Sequence, residues 1–146
     1  MSAFPKTFSV ESAGASGVSE IWVNHLIGKE CAPISMAIPP EFDGPGGTYS
    51  PEDLYAMALM NCYLATFKVI AEKSKLQYEN ILGSATLYVD KGEEIAPWME
   101  RIEITIILTG AKQTARALTI LEKTKAHCMI LNSVKTKIDF EFQVKE

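Results

Sequence analysis

Between Leu54 and Ile70 the chain carries one charged side chain, Lys68. The rest of that stretch is Leu, Tyr, Ala, Met, Val, Ile, Phe and Cys, with Asn61 and Thr66 as its other polar residues. Ser50 suits an N-cap and Pro51 the first helical position, while Asp53 favours the positive helix end. The pattern predicts a helix from about residue 51 to about residue 74. A helix apolar on every side is buried on every side. In a chain of 146 residues such burial needs a curved sheet or a second subunit, so the pattern predicts a homodimer.

The flanking sequence reads as strands. Thr7–Ser12, Ser19–Leu26 and Pro33–Ile38 are short candidates, separated by a turn at Ala13–Gly17 and stopped by Pro39 and Pro40. A Gly/Pro-rich loop, Glu41–Tyr49, leads into the helix. Downstream, Asn80–Val89 and Met99–Leu108 alternate around a polar turn at 90–94. A second helix is expected over Gln113–Lys125, with Ala117, Leu118, Ile120 and Leu121 as its apolar face. Val134–Val144 alternates as a final strand. This order is α+β in a single domain, residues 1–146, with antiparallel sheets expected from the short hairpin connections.

Composition bounds the function. The net charge of −4, with lysines and arginines scattered singly, argues against a nucleic-acid partner. No run of about 18 uninterrupted apolar residues occurs, so no membrane span is expected. The first seven residues lack a signal-peptide pattern, which points to the cytoplasm, where thiols stay reduced. Three cysteines without CxxC spacing do not form a disulfide framework.

Two of those cysteines sit on ordered elements. Cys62 lies mid-helix, and Cys128 follows the second helix in Ala126-His-Cys-Met-Ile-Leu-Asn-Ser. Brought together by the fold, they are either a redox couple or two small core residues. A thiolate needs donors or positive charge nearby, and apolar burial alone silences a cysteine. The polar Asn61 beside Cys62 favours the redox reading. Cys31, in a polar stretch, reads as incidental. Glu52 occupies the first helical turn, where a carboxylate either complements the dipole or serves a site. Ten helical positions separate it from Cys62 by about 15 Å, so a joint role requires Glu52 of a second subunit. His25 and His127 have no metal-ligand spacing with the cysteines, and no metal or cofactor is expected. Gly44-Pro-Gly-Gly lacks the Lys-Ser/Thr of a phosphate loop.

The run Gly46-Gly-Thr-Tyr-Ser-Pro-Glu-Asp-Leu-Tyr-Ala-Met-Ala-Leu-Met-Asn-Cys, together with Cys128-Met-Ile-Leu-Asn-Ser, resembles the OsmC/Ohr family. These are the osmotically inducible protein C and organic hydroperoxide resistance proteins. The resemblance implies an intertwined homodimer with antiparallel sheets around a long buried central helix. It also implies an antioxidant thiol peroxidase with Cys62 as peroxidatic cysteine, Cys128 as resolving cysteine and Glu52 as a site-ordering carboxylate. The substrate would be an organic hydroperoxide and the reductant an external dithiol, often a lipoylated protein in this family. One position departs: the family's peroxidases use an arginine from an N-terminal strand. Here the arginines are Arg101 and Arg116, far downstream, and Lys6 and Lys29 are the basic residues before the helix. Lysine lacks the bidentate fork. The departure marks a divergent, OsmC-like branch, for which the other readings are a non-catalytic dimer binding a small apolar ligand and a thiol redox sensor.

Overall fold

The long helix, α1, spans Pro51–Lys73 and starts where its cap residues place it. The Ser50 N–H donates to Asp53 Oδ2 at 2.9 Å, and the Asp53 N–H donates to Ser50 Oγ at 3.1 Å. This is a reciprocal capping box with Asp in place of Glu. Ser50→Ala should lower stability by about 1 kcal/mol, read from the midpoint of urea unfolding.

The computed structural model describes residues 4–93 and 95–146. Residues 1–3 of the N-terminal reading and Glu94 of the expected polar turn lie outside the described residues. The chain divides into two compact units, one ending at Leu54 and one running from Tyr55 to Glu146.

In the first unit, β1 (Val10–Gly14), β2 (Trp22–Leu26) and β3 (Ile34–Met36) form an antiparallel sheet with β2 in the middle. Val10 pairs with Leu26, and Trp22 pairs with both Gly14 and Met36. The ladders are shorter than the alternating runs in the sequence, and β1 begins later than expected. The Gly/Pro-rich loop is tied to the residues around β3. Thr48 Oγ1 donates to the Ser35 carbonyl at 2.9 Å, and the Ala37 N–H donates to the Tyr49 carbonyl at 2.9 Å.

The second unit is a sheet of β4 (Asn80–Asp90), β5 (Trp98–Thr109) and β6 (Lys137–Val144), with β5 central. β4 and β5 pair antiparallel, as their short connection requires. β6 pairs parallel to β5, which corrects the expectation of antiparallel pairing throughout. The reason is the connection: β6 arrives after helix α2 (Thr114–Thr124), a crossover long enough to return the chain in the same direction. Alternation buries Ile102, Ile104, Ile106 and Leu108 of β5 on one face.

Against that face lies one stripe of α1: Leu59, Tyr63, Phe67 and Ala71, spaced four apart and fully buried. Gly83 of β4 is part of this contact, because a Cβ there would meet Met60 Sδ at 3.1 Å. From α2, Ala117, Ile120, Leu121 and Thr124 are buried. Leu118, expected on the apolar face, is 42% exposed because Thr124 takes the fourth inward position of an i, i+3, i+4, i+7 stripe. Other sides of α1 stay open in the single chain, with Met57 41% and Val69 52% exposed. By length and composition α1 is also long and apolar enough to cross a membrane, a test that buried core helices pass as well.

Candidate active site

The second unit brings Cys62 and Cys128 together. Tyr63, the next residue after Cys62, anchors this part of α1. Its ring meets Phe140 at 4.9 Å and Phe142 at 5.7 Å, and its hydroxyl donates to the Leu121 carbonyl at 2.8 Å. Burial pushes the Tyr63 hydroxyl well above the usual tyrosine range, so it stays a neutral donor. Cys62 is thereby held at the edge of the core, half-buried and free.

Cys128 reaches the same place from the end of α2. A short 3-10 turn, Lys125–His127, extends the helix, and a second, Leu131–Ser133, follows the cysteine. The bend between them is pinned by Asn132. Its N–H donates to the Cys128 carbonyl at 2.9 Å and its side-chain amide to the Ala126 carbonyl at 3.0 Å. Ser133 adds a hydroxyl donated to the Met129 carbonyl at 2.7 Å. The Asn-Ser pair after Cys128 therefore shapes the turn that carries it.

The two sulfurs have different surroundings. Cys128 is fully buried and donates to the Thr124 carbonyl at 3.3 Å. Burial pushes its thiol up to about 11, with the neighbouring Cys62 pushing the same way and the Thr66 hydroxyl opposing. At neutral pH Cys128 is a thiol. The Cys62 sulfur accepts the backbone N–H of Ile130 at 3.4 Å.

Thr66 escaped the sequence reading, although its spacing of four from Cys62 puts it on the same side of α1. Its hydroxyl donates to the Cys62 carbonyl at 2.8 Å and also lies within hydrogen-bonding reach of Cys128. Asn61, read as a polar aid to Cys62, turns away instead: its amide donates to the Met57 carbonyl at 2.8 Å.

Glu52 lies in the first unit, in the opening turn of α1. Its Oε1 is buried with no hydrogen-bond partner among the described residues. Both arginines are engaged in the second unit. Arg101 pairs with Glu103 and stacks over Tyr88, and Arg116 donates to the Ser74 carbonyl. Lys29 sits over the Phe8 ring at 5.3 Å. Among the described residues no group of three or more His, Cys, Asp or Glu could hold a metal ion. Cys31 is exposed and free.

Comparison with known proteins shows the family and the fold. The family described as OsmC-like protein matches residues 44–143, a span that holds Glu52, Cys62 and Cys128. The uncharacterized protein YmaD of Bacillus subtilis is 24% identical over 113 residues, 75% of each chain. An OsmC-like protein of unknown function from Vibrio cholerae has a TM-score of 0.80 at 17% identity, covering 94% of this chain and 99% of that one. An organic hydroperoxide resistance protein from Elizabethkingia anophelis has a TM-score of 0.75 at 14% identity, covering 98% and 99%. The chain belongs to the OsmC-like family.

Proposed function

We propose that this protein is a cysteine peroxidase that reduces organic hydroperoxides. The observation that carries the reading is the pairing of a half-buried Cys62, its sulfur held by a backbone amide, with a buried Cys128 beside it. Solved relatives named as organic hydroperoxide resistance proteins support the substrate class.

In the proposed cycle the Cys62 thiolate attacks the distal oxygen of ROOH. The O–O bond breaks, an S–O bond forms, and the alkoxide leaves to be protonated as ROH. Cys62 is left as a sulfenic acid, two electrons more oxidised. The Cys128 sulfur then attacks the Cys62 sulfur, and water leaves as the disulfide closes. An external dithiol reduces that disulfide by exchange, becoming a disulfide itself. A lipoylated protein is the proposed reductant, and the cytoplasm the proposed location.

The working unit in this reading is a homodimer, which would cover the open apolar sides of α1. Glu52 would serve a site from the partner subunit, where the unpartnered Oε1 would find a donor.

Resolution is the step on which the Cys128 environment bears. Below about 11 the Cys128 thiolate fraction grows tenfold per pH unit, so disulfide closure should quicken steadily from about pH 7 to about pH 10. Thr66→Val removes the hydroxyl that opposes this rise and should slow closure several-fold, read by stopped-flow tryptophan fluorescence.

The reading is tested by turnover. Sustained consumption of cumene hydroperoxide with dihydrolipoamide in excess is expected. Disulfide formation that stops at one equivalent would instead mark a redox sensor, and no oxidation at all would mark a binding protein.

A further inference from the structure

We infer that the backbone amide of Ile130 is the donor that holds the Cys62 sulfur ready for attack, in a chain with no arginine before the long helix. This rests on the reading of Cys62 as the reacting thiol. Among the described residues, the backbone donor to Cys62 Sγ is the Ile130 N–H, at 3.4 Å, while the Cys128 side chain also lies within hydrogen-bonding reach of Cys62.

The other nearby donors are committed. The Thr66 hydroxyl is taken up by the Cys62 carbonyl and by Cys128, and the Asn61 amide donates to the Met57 carbonyl. Both arginines are occupied, by Glu103 and by the Ser74 carbonyl. The titratable neighbour of Cys62 in this unit is Cys128, a neutral thiol that brings no positive charge.

The amide is aimed by its own turn rather than by Cys62. Ile130 has φ −65° and ψ −43°, and its carbonyl accepts the Ser133 N–H at 3.0 Å. Asn132 closes the turn onto the Cys128 and Ala126 carbonyls. A donor fixed in advance, at a half-buried sulfur, stabilises developing negative charge without reorganising. The same turn carries Cys128. One short segment thus sets both the donor that readies Cys62 and the thiol that resolves it.

A backbone donor is deleted without touching any side chain by replacing the amide with an ester. Cys128 makes this practical, because a synthetic peptide of residues 128–146 can be ligated at that cysteine to residues 1–127, giving the full chain. Three ligated proteins are compared: all-amide, ester at the Met129–Ile130 bond, and Ser133→Ala. The third measures how much arises from a weakened contact at the Met129 carbonyl, which accepts the Ser133 hydroxyl.

The readout is the rate at which iodoacetamide alkylates Cys62 at one fixed pH. The ester protein should react about tenfold more slowly than both others, the loss expected for one hydrogen bond to a thiolate. In the unmodified protein, the Ile130 amide resonance in a proton–nitrogen spectrum should move when Cys62 is alkylated. An ester protein as reactive as the Ser133→Ala protein would overturn the inference, as would an Ile130 resonance that stays in place. Failure of the all-amide protein to consume cumene hydroperoxide, with the alkylation difference present, would instead remove the peroxidase reading and leave the donor standing.

Discussion

Cys62→Ser should abolish hydroperoxide consumption, lowering the rate by at least about a thousandfold. A serine hydroxyl is not ionised near neutral pH, and a single amide donor 3.4 Å from the sulfur cannot make it so. The fold should survive, because Cys62 is half-buried and serine is close in size. Cys128→Ser should behave differently. Cys62 should still be oxidised once, but its sulfenic acid should persist and be captured by dimedone as a mass adduct on the Cys62 peptide. The serine hydroxyl would inherit the Thr124 carbonyl as acceptor, now 3.3 Å from the sulfur, so a modest stability loss is expected. A binding protein would keep its ligand affinity through both changes, which separates that reading cleanly.

Phe67→Ala should cost about 3–5 kcal/mol of stability. Phe67 is fully buried in the middle of the α1 stripe, with its ring 5.5 Å from Tyr78 and 6.4 Å from Tyr63. Tyr63 cannot collapse into the space, since it is tethered to the Leu121 carbonyl and stacked on Phe142. Guanidinium unfolding should show the shift in midpoint. Protein concentration is held fixed, because the stability of the proposed homodimer would depend on it. A loss below about 1 kcal/mol would mean that the stripe is not the core of this unit.

Local chemistry made much of this architecture legible. Ser50, Pro51 and Asp53 mark the start of α1 because a helix end has unmet N–H groups that such residues satisfy. The β4 and β5 ladders are legible because alternation has a period of two and one face is buried. The direction of β6 was not, because side-chain alternation is the same in parallel and antiparallel strands and only the crossover through α2 distinguishes them. Leu118 was misplaced because hydrophobicity alone does not choose between it and Thr124 for an inward position, and Thr124 is buried by giving its hydroxyl to the Ile120 carbonyl.

The site divides the same way. Cys62 and Cys128 stood out by residue type, and Thr66 could have been found from its spacing on α1. The Ile130 donor is a backbone group, which any residue but proline supplies, so residue type carries no sign of it. Glu52 was singled out as a first-turn carboxylate. Its buried oxygen without a partner is visible only in three dimensions.

The most direct test is peptide-mapping mass spectrometry of the reduced protein after one equivalent of cumene hydroperoxide. The account predicts rapid loss of two hydrogens, with the Cys62 and Cys128 peptides crosslinked and Cys31 still free. An unchanged mass after minutes, with the fold intact, would contradict it, as would a crosslink that runs through Cys31.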